Sequence, residues 1–429
     1  MINHRDRDVV VIGAGTSGAA AALHCARRGM DVLCIDRRPL DRAGARWVNN
    51  IPAWMFRAAA IAPPEPPERL GDPSPLHLFA GYGPERIVIG EHDCLEVDMR
   101  LLTERLRREA RAEGAHFASE VDVRGFDGEA LFTSEGDLRA RFYVDASGLG
   151  GAGLVGLPRP ARQDICAAAQ QVRHITDENR ARRFFREQAV PYGDTLCYGG
   201  LDGGYSVLHL RAHGADRIHI LTGSLPGRGH RSGPRMLDDF VHRHRDWIGD
   251  ELYGGSAPIP LGRPADRLAQ GRVAVIGDAC MQVLSAHGSG VGAGLVAAEI
   301  LADSLAAGRG VSGYAVRWQR RYGGTFAAYD LFRRFSAELS ASDMAVMMQS
   351  GLLHPHLAGL SLRQLAPLPR RPILANPAAL RRAPHLLPSL GATLAKMLRV
   401  ALLYRRYPAD EGRVSEWAMK VEQASGPRR

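Results

Sequence analysis

Three glycines near the amino terminus have the spacing of a turn that binds phosphate groups. Gly13, Gly15 and Gly18 follow a short run of β-branched residues and precede an Ala-rich segment. The first glycine permits a tight turn, the second lets the backbone approach a pyrophosphate, and the third lets the helix pack closely on the strand. A helix predicted over residues 16–28 would direct its N-terminal amides and its dipole at the phosphates. The spacing therefore predicts a dinucleotide site, although a Gly-rich turn in another α/β protein can have the same letters.

An acidic residue extends this pattern. Residues 9–12 and 32–35 are predicted strands on either side of the helix, and Asp36 stands at the tip of the second strand. An acid about 20 residues beyond the glycines is the usual partner of a ribose hydroxyl. Strand, helix, strand and acid in this order favour a Rossmann-type α/β fold over an isolated glycine motif.

Two further groups of small and acidic residues occur later in the chain. A DASG sequence at 145–148 ends one predicted strand, and a GDA sequence at 277–279 ends another. A helix is predicted over 291–306, so its N-terminus directly follows Gly290. The glycines at 288–294 have the spacing of a second fingerprint, but they lack a βαβ unit of their own. We therefore interpret them as part of the first nucleotide site.

The composition limits the kinds of function that are possible. The chain has 429 residues, 45% of them hydrophobic, which is enough for two or three structural units and a sizeable core. No apolar run reaches the length of a membrane span, and the charged start, MINHRDRD, does not fit a signal peptide. Six cysteines are scattered without a CxxC pair. This argues against zinc and against a disulfide framework, so we expect no metal site and a reducing, cytoplasmic location.

The chain is strongly basic. Its net charge is +9, and of its 55 basic residues only Lys396 and Lys420 are lysines. This balance would attract an acidic partner. The arginines are spread along the sequence rather than interleaved with aromatic residues, so nucleic-acid binding is not expected.

Changes in pattern divide the chain into four segments. Residues 1–154 hold the nucleotide-binding pattern, which resumes at 266–310. Between them, 155–265 has the pattern of a mixed β-sheet substrate domain, and 311–429 is expected to be mostly helical. We therefore predict an α/β protein with a Rossmann-type domain, an inserted mixed β-sheet domain and a helical C-terminal region. The other predictions tested below are a loop-rich stretch at 39–96, a helix at 96–113, and strands at 167–174, 205–211 and 218–221.

The three motifs together resemble a known family. GxGxxG with Asp36, DASG at 145–148, and GDA at 277–279 followed by Gly290 resemble FAD-dependent enzymes of the p-hydroxybenzoate-hydroxylase fold. The DASG form is similar to geranylgeranyl reductases and flavin-dependent halogenases, since the simple aromatic hydroxylases carry a DG motif with a later arginine. The resemblance covers residues 8–305 and implies noncovalently bound FAD.

The resemblance also implies a set of cofactor-binding residues. Asp278 would accept hydrogen bonds from hydroxyl groups of the ribityl chain. Gly290 and Val291 would lie against the pyrimidine side of the isoalloxazine, where the helix dipole would stabilise negative charge on the reduced flavin. The implied set is Gly13, Gly15, Thr16, Gly18, Asp36, Arg37, Arg42, Arg100, Gly277, Asp278, Gly290 and Val291.

The sequence departs from the family where catalytic detail is concerned. Ser285 stands where the family usually has proline, and His287 occupies a position often held by a small or apolar residue. Met99 stands where a helical arginine is usual, with Arg100 one place on. We predict Ser285 and His287 as catalytic candidates, with His287 orienting substrate or passing a proton. The alternative for His287 is a loop histidine hydrogen-bonded to backbone.

These departures separate the possible activities. A halogenase needs an active-site lysine and a WxWxIP motif, but the first lysine is Lys396 and the motif is absent. An isoprenoid reductase usually has a Cys-Gly-Gly stretch, which DRAGARWVNN at 41–50 lacks. We therefore predict a monooxygenase that hydroxylates an aromatic ring through a flavin C4a-hydroperoxide. The alternatives are an FAD-dependent reductase of isoprenoid double bonds and a non-catalytic FAD-binding assembly factor.

Two further expectations concern the reductant and the substrate. No second complete βαβ fingerprint is present, which predicts that NADH or NADPH reduces the flavin from solution. The frame without a catalytic lysine, the helical extension and the arginine-rich surface are similar to flavoprotein monooxygenases that mature tryptophylquinone cofactors. That resemblance implies an aromatic substrate, an indole or tryptophan carried on an acidic protein or peptide.

Overall fold

The computed structural model describes residues 6–367 and 376–426, and it contains helices and three β-sheets within them. The strands are β1 (Arg7–Ile12), β2 (Val32–Ile35), β3 (Val48–Pro52), β4 (Arg69–Gly71), β5 (Leu76–Ala80), β6 (Arg86–Ile89), β7 (Cys94–Asp98), β8 (His116–Ala118), β9 (Val123–Phe126), β10 (Ala130–Thr133), β11 (Gly136–Asp145), β12 (Ile165–Ile175), β13 (Thr195–Gly199), β14 (Ser206–His213), β15 (Arg217–Ser224), β16 (Ile248–Pro260), β17 (Ala269–Gln270) and β18 (Val273–Val275). The α-helices are α1 (Thr16–Ala26), α2 (Ala53–Ala58), α3 (Met99–Ala112), α4 (Glu178–Glu187), α5 (Gly233–Arg243), α6 (Val291–Ala306), α7 (Gly310–Trp318), α8 (Gly324–Ser336), α9 (Ala341–Ser350), α10 (Pro355–Leu362), α11 (Leu386–Arg405) and α12 (Val414–Ser425).

The first sheet is the predicted Rossmann-type sheet. Its strand order is β17-β18-β11-β1-β2-β8, with β10 and β9 attached beside β11. β1 pairs in parallel with β11 and with β2, and β11 pairs in parallel with β18. Helices α1, α3 and α6 pack together on one face, and the β9–β10 hairpin helps to cover the other. The predicted fold class is confirmed, and the carboxyl ends of β1, β11 and β18 meet at one edge, where such sheets bind ligands.

The second sheet has the order β16-β12-β15-β14-β13-β5-β6. The predicted strands at 167–174, 205–211 and 218–221 correspond to β12, β14 and β15. The predicted boundary at residue 154 does not separate the two sheets, because β5 pairs in parallel with β13. Two strands from the first segment therefore complete the inserted sheet.

The stretch at 39–96 is not simply a loop. It contains α2 and strands β3 to β6, and β3, β7 and β4 form a third, antiparallel sheet. The helix predicted at 96–113 begins at Met99, because Glu96 lies in β7 and the Asp98 carboxylate accepts a hydrogen bond from the Arg100 amide at 2.9 Å. That N-cap fixes the start of α3 three residues later than the periodicity predicted.

The C-terminal region is helical, as predicted. α7 continues through a π-helical turn over Gln319–Gly323 into α8, and α8 packs against α11, which in turn contacts α12. α11 is long and apolar enough, by length and composition, to cross a membrane. The sequence predicts no apolar run of that length, so this helix differs from the expectation.

Candidate functional site

The phosphate-binding turn needs glycine at two positions for different reasons. Gly13 has φ +102°, and a Cβ there would lie 2.5 Å from the carbonyl oxygen of Ala146 in the DASG segment. A Cβ on Gly18 would lie 1.8 Å from the Gly13 carbonyl oxygen. The turn after β1 is therefore pressed against both the DASG segment and the first turn of α1, as the sequence predicts.

Gly15 differs, because its backbone does not require glycine. Its φ is −69°, and a Cβ there would be 3.3 Å from the Cα of Gly44. Gly44 has φ +87° and belongs to the loop that follows β2. The two glycines leave a backbone-lined cradle at the N-terminus of α1, where a side chain at Gly15 would project into the space of a pyrophosphate.

Thr16 and Asp36 frame this cradle. The Thr16 hydroxyl lies 2.9 Å from the hydroxyl of Thr103 on α3. The Asp36 carboxylate accepts hydrogen bonds from the amides of Ala14, at 2.7 Å, and Arg38, at 2.9 Å. Asp36 is thereby fixed at the tip of β2 beside the glycine turn, in the position from which an acid reaches a ribose hydroxyl.

The three predicted arginines are placed differently. Arg37 and Arg42 are exposed near the cradle. Arg100 instead pairs with Asp98, at 2.6 Å, and its guanidinium carbon lies 3.6 Å from the ring centroid of Tyr253 in β16. Its guanidinium thus joins α3 to the inserted sheet, so its contact with FAD stays a prediction.

The GDA turn and helix α6 form the second part of the candidate site. They contact the phosphate-binding turn and α1 at Ser17. A Cβ on Gly277, where φ is +70°, would lie 2.9 Å from the Ser17 hydroxyl oxygen. A Cβ on Gly294 would lie 2.1 Å from the same atom. Helices α1 and α6 therefore cross in contact at Ser17, and the GDA turn lies directly beside the phosphate-binding turn.

Asp278 has an unpartnered carboxylate in this cleft. Within residues 6–367 and 376–426, no protein donor bonds to it, and burial raises its pKa to about 6. A Cβ on Gly290, at the start of α6, would lie only 3.2 Å from one of its oxygens. A half-buried carboxylate without donors fits a ligand that brings its own hydroxyl groups.

Gly290 and Val291 begin α6 as predicted. No side chain caps this N-terminus, and its first turn contains no acid. The free amides and the helix dipole are therefore available to a ligand that carries negative charge. Together with the cradle at Gly15 and the orphan carboxylate, these features fit FAD; the residues that would hold it are Gly13, Gly15, Gly18, Asp36, Gly277, Asp278, Gly290 and Val291.

The loop before α6 holds both catalytic candidates. The Ser285 hydroxyl accepts a hydrogen bond from the Gly262 amide, at 2.9 Å, and donates one to the Gly262 carbonyl, at 3.0 Å. Its hydrogen-bonding capacity is used on one backbone unit, so it supports the loop. His287 donates from Nε2 to the Ser361 carbonyl at 3.1 Å, and burial lowers its pKa despite that bond. His287 is therefore neutral at pH 7, which favours an orienting role over proton donation.

A turn at the end of α10 closes over this loop. We call residues 361–365 the α10 turn. Its carbonyls accept hydrogen bonds from four side chains that come from four parts of the chain. They are His287 to Ser361 at 3.1 Å, Cys94 to Leu362 at 3.3 Å, Trp54 to Arg363 at 2.8 Å, and Tyr329 to Leu365 at 3.0 Å. The C-terminal region, which lies outside the sequence resemblance, is thus bonded directly to the loop beside the candidate flavin site.

Gln364 is a further candidate site residue, and the sequence does not predict it. It is 3% exposed and has φ +54°, and both polar atoms of its amide lack a partner within the described part of the chain. A buried primary amide with no hydrogen bond is costly unless a ligand completes it. No sequence signal marks Gln364, because its position depends on the α10 turn meeting a loop that is 77 residues earlier in the chain.

A second polar cluster lies between β7 and the inserted sheet. Glu96 accepts hydrogen bonds from Arg211 at 2.6 Å, His219 at 2.8 Å and His213 at 3.1 Å, and the two histidine rings stack at 4.0 Å. The spacing of Glu96, His213 and His219 would suit a metal ion. The guanidinium of Arg211 already neutralises the carboxylate, so we interpret the group as a buried ion-pair cluster.

The sequence matches proteins of a common functional class. Residues 8–50 match the family model for FAD dependent oxidoreductases. A digeranylgeranylglycerophospholipid reductase of Sulfolobus acidocaldarius is 23% identical over 97% of this chain and 96% of its own length. A reductase of the same name from Methanopyrus kandleri is 24% identical over 89% of this chain and 99% of that protein.

Solved structures share the architecture. A geranylgeranyl bacteriochlorophyll reductase-like protein from Thermoplasma acidophilum superposes with a TM-score of 0.68 at 16% identity, covering 91% of this chain and 99% of that one. The halogenase PltM gives 0.63 at 13% identity, covering 97% and 95%. These likenesses show the fold. With the family match over the phosphate-binding segment and the full-length relatives, they identify the chain as an FAD-dependent oxidoreductase.

Proposed function

We propose that the protein reduces carbon–carbon double bonds of an isoprenoid chain, using FAD. The observation that carries this proposal is the extent of the match to the Sulfolobus acidocaldarius reductase, which covers 97% of this chain and 96% of the relative. The match therefore includes the helical region beyond residue 310. The sequence motifs favour aromatic hydroxylation over isoprenoid reduction, and this proposal reverses that order.

The lack of a Cys-Gly-Gly stretch is compatible with this reaction. Saturating a double bond adds a hydride to one carbon and a proton to the other, and it needs no protein nucleophile. Gly44 keeps the backbone of this loop against Gly15 although no cysteine is present. The cysteine nearest the α10 turn is Cys94, whose pKa burial raises to about 12, so it remains a neutral thiol.

The residues packed against the start of α6 are apolar. A Cβ on Gly292 would lie 2.2 Å from the sulfur of Met55, and Ile51 packs beside it. Trp54 lies on the same segment, with its ring stacked on Tyr322 at 6.3 Å. Apolar walls of this kind exclude water from the reacting carbons.

FAD bound at this site supplies the electron pair as a hydride. The chain's own residues then have three tasks: to hold the cofactor, to keep water out, and to orient the double bond. The neutral His287, held by Ser361, and the unpartnered amide of Gln364 lie on the two segments that meet here. The proton for the second carbon comes ultimately from solvent.

Product mass provides the test. The FAD-loaded protein is reduced without oxygen and incubated with a glycerolipid that carries geranylgeranyl chains, and the product is analysed by mass spectrometry. A gain of two hydrogens for each saturated double bond supports the proposal. The Gly15→Val variant, which should not bind FAD, is the control. Failure of the wild-type holoprotein to saturate the lipid would overturn the proposal.

Aromatic hydroxylation stays a prediction and is separated by the same measurement. With oxygen and an indole or tryptophan substrate, a hydroxylase would add about 16 mass units. The relatives give no support to a tryptophan substrate, to an acidic carrier protein, or to a role in tryptophylquinone formation. NADH and NADPH remain candidate reductants, and mixing each with the oxidised protein in the absence of oxygen would show which one bleaches the flavin.

A further inference from the structure

Helix α11 has one face buried in the protein and another that is apolar and exposed. Its buried side chains face α8 and α12, and Tyr404 meets Trp417 at 4.9 Å between ring centroids. Four leucines on the helix are exposed to 49–59% of their surface. We call this set, Leu387, Leu394, Leu398 and Leu402, the leucine stripe.

The leucines of the stripe form one continuous band. They are separated by seven, four and four residues, a spacing that keeps side chains on the same side of an α-helix. At 1.5 Å per residue the band is about 22 Å long. Isolated exposed leucines are ordinary on a protein surface, but an aligned row of four indicates an interaction surface.

The stripe does not indicate a membrane-crossing helix. Only 22% of the apolar window of α11 is buried, unlike the core helix of a soluble protein. However, Met397, Val400 and Tyr404 are buried on its opposite side, against the protein. To cross a bilayer, the helix would have to lose these contacts, whereas to lie on a bilayer it would keep them.

Basic residues lie on the same helix as the stripe and directly after it. Lys396, Arg399, Arg405 and Arg406 are all exposed on or directly after α11. From residue 344 to residue 408 the sequence has nine arginines and lysines and no aspartate or glutamate. This segment alone therefore accounts for the net charge of +9 of the whole chain.

We propose that the leucine stripe and its basic neighbours dock on an anionic phospholipid bilayer, with α11 lying in the plane of the surface. Leucines would enter the boundary between headgroups and acyl chains, and Arg399, Arg405 and Arg406 would contact lipid phosphates. A second copy of the chain is a poorer occupant, because pairing two such surfaces would bring like charges together. The link to substrate delivery rests on the proposed function, whereas binding to the bilayer does not.

The docking surface is connected to the candidate site through one helix. α11 packs on α8, and Tyr329 of α8 donates a hydrogen bond to Leu365 in the α10 turn at 3.0 Å. The same turn accepts the hydrogen bond from His287. An isoprenoid chain leaving the bilayer at this face would therefore meet the C-terminal region that covers the flavin loop.

Flotation with lipid vesicles tests the proposal on the full-length holoprotein. We expect binding to vesicles of phosphatidylcholine mixed with phosphatidylglycerol and much weaker binding to phosphatidylcholine alone. Replacing Leu394 and Leu398 together with serine should reduce the affinity at least ~10-fold, because apolar burial is lost. Leu252→Ser, which changes an exposed leucine of β16 (39% exposed), is the matched control and should bind like the wild type.

Charge variants test the basic residues of the docking surface. Arg399→Gln combined with Arg405→Gln should weaken binding, and the weakening should be largest at low salt, where screening is least. Arg124→Gln, at an exposed arginine of β9, is the control. Binding that ignores lipid charge, or that survives the leucine changes, would overturn the proposal. So would light scattering that shows a dimer dissociated by the leucine changes.

The two proposals can fail separately. Reduction of a detergent-dispersed isoprenoid lipid reports the proposed function without a bilayer. The leucine variant should retain that activity and lose activity on the same lipid in vesicles. Vesicle binding by a wild-type protein that cannot reduce the dispersed lipid would overturn the proposed function and leave the docking surface intact.

Discussion

His287 and Ser361 are joined by a hydrogen bond of 3.1 Å from the imidazole Nε2 to the backbone carbonyl, across 74 residues of sequence. This bond ties the loop before α6 to the α10 turn. Burial lowers the pKa of His287 below its ordinary value of 6.5, so the ring is neutral at physiological pH. It can therefore orient a substrate or the turn itself, and it is a weak candidate for delivering a proton.

The first prediction follows from that arrangement. His287→Ala should retain FAD but lower kcat at least ~10-fold, less than the usual contribution of a general acid or base, because the neutral ring orients the substrate or the α10 turn. His287→Gln, which can still donate to Ser361, should recover part of the loss. In the wild type, activity that depends on the neutral ring should fall only on the acid side of pH 6.5. Turnover and FAD content measured side by side decide this, and unchanged turnover in the alanine variant would remove His287 from the mechanism.

The second prediction concerns the pyrophosphate cradle. Gly15→Val should abolish FAD binding, because Gly15 already lies near Gly44 and its backbone leaves no other direction for the side chain. Gly90→Val is the matched control, since a Cβ on Gly90 meets nothing within 4 Å. The FAD released on denaturation, measured by absorbance, should be absent from the first variant and normal in the second. A yellow Gly15→Val protein would contradict the location of the site.

The residues that would bind FAD could largely be predicted from the sequence, because local spacing determines their positions. The glycine turn, Asp36 and helix α6 depend on short-range spacing, and α6 has the predicted bounds of 291–306. The sequence does not predict strand β16, because Gly254 and Gly255 interrupt its pattern; its pairing with β12 across the sheet determines it instead. The Glu96 cluster and the α10 turn likewise depend on residues that are more than 70 positions apart, which no local pattern contains.

The third prediction concerns Asp278, whose pKa burial raises to about 6 from 3.8. A carboxyl with a raised folded-state pKa stabilises the fold below its unfolded pKa, and that stability is lost as pH rises through 6. Asp278→Asn should therefore make the FAD-free protein more stable at pH 8, by up to ~3 kcal/mol, with a difference that shrinks at pH 5 and vanishes below about pH 4.

The same substitution should weaken FAD binding. A charged acceptor of ligand hydroxyl bonds contributes ~1.5–3 kcal/mol, so the Kd for FAD should rise ~10- to 100-fold. Thermal unfolding of the apoprotein at the two pH values and titration with FAD give the two measurements. A variant that is more stable without FAD but binds FAD more weakly would show that Asp278 serves the ligand. A variant that is less stable at pH 8 would contradict this role of Asp278.

The fourth prediction concerns the Glu96 cluster. Burial opposes ionisation of Glu96, but hydrogen bonds from His213 and His219 hold its pKa well below 4.5. That stability is present above pH 4.5 and is lost as pH falls toward the lower folded value. Burial also lowers the pKa of His219, so its protonation costs stability as pH falls below 6.5. Both effects make the fold sensitive to acid.

Glu96→Gln tests the cluster directly. Removing one partner of a buried ion pair should cost ~3–5 kcal/mol, and the acid-sensitive part of the stability profile should flatten. Glu135→Gln, at an exposed position, should change neither the stability nor its dependence on pH. Unfolding by urea between pH 4 and pH 8 provides the measurement. A profile for Glu96→Gln parallel to that of the wild type would show that the cluster does not carry the acid sensitivity.

The last prediction uses Gln364, whose amide is buried without a partner at φ +54° in the α10 turn. An unsatisfied buried amide costs ~1–3 kcal/mol, so the apolar variant Gln364→Met, of similar length, should stabilise the FAD-free protein. If the amide completes its hydrogen bonds with cofactor or substrate, the same variant should raise the Kd for FAD or the KM for substrate. Thermal unfolding without FAD, FAD titration and steady-state kinetics separate these effects. A variant that is more stable yet unchanged in affinity and kinetics would show that Gln364 contacts neither ligand, whereas a gain in stability with a loss in affinity would place its amide at the flavin or the substrate.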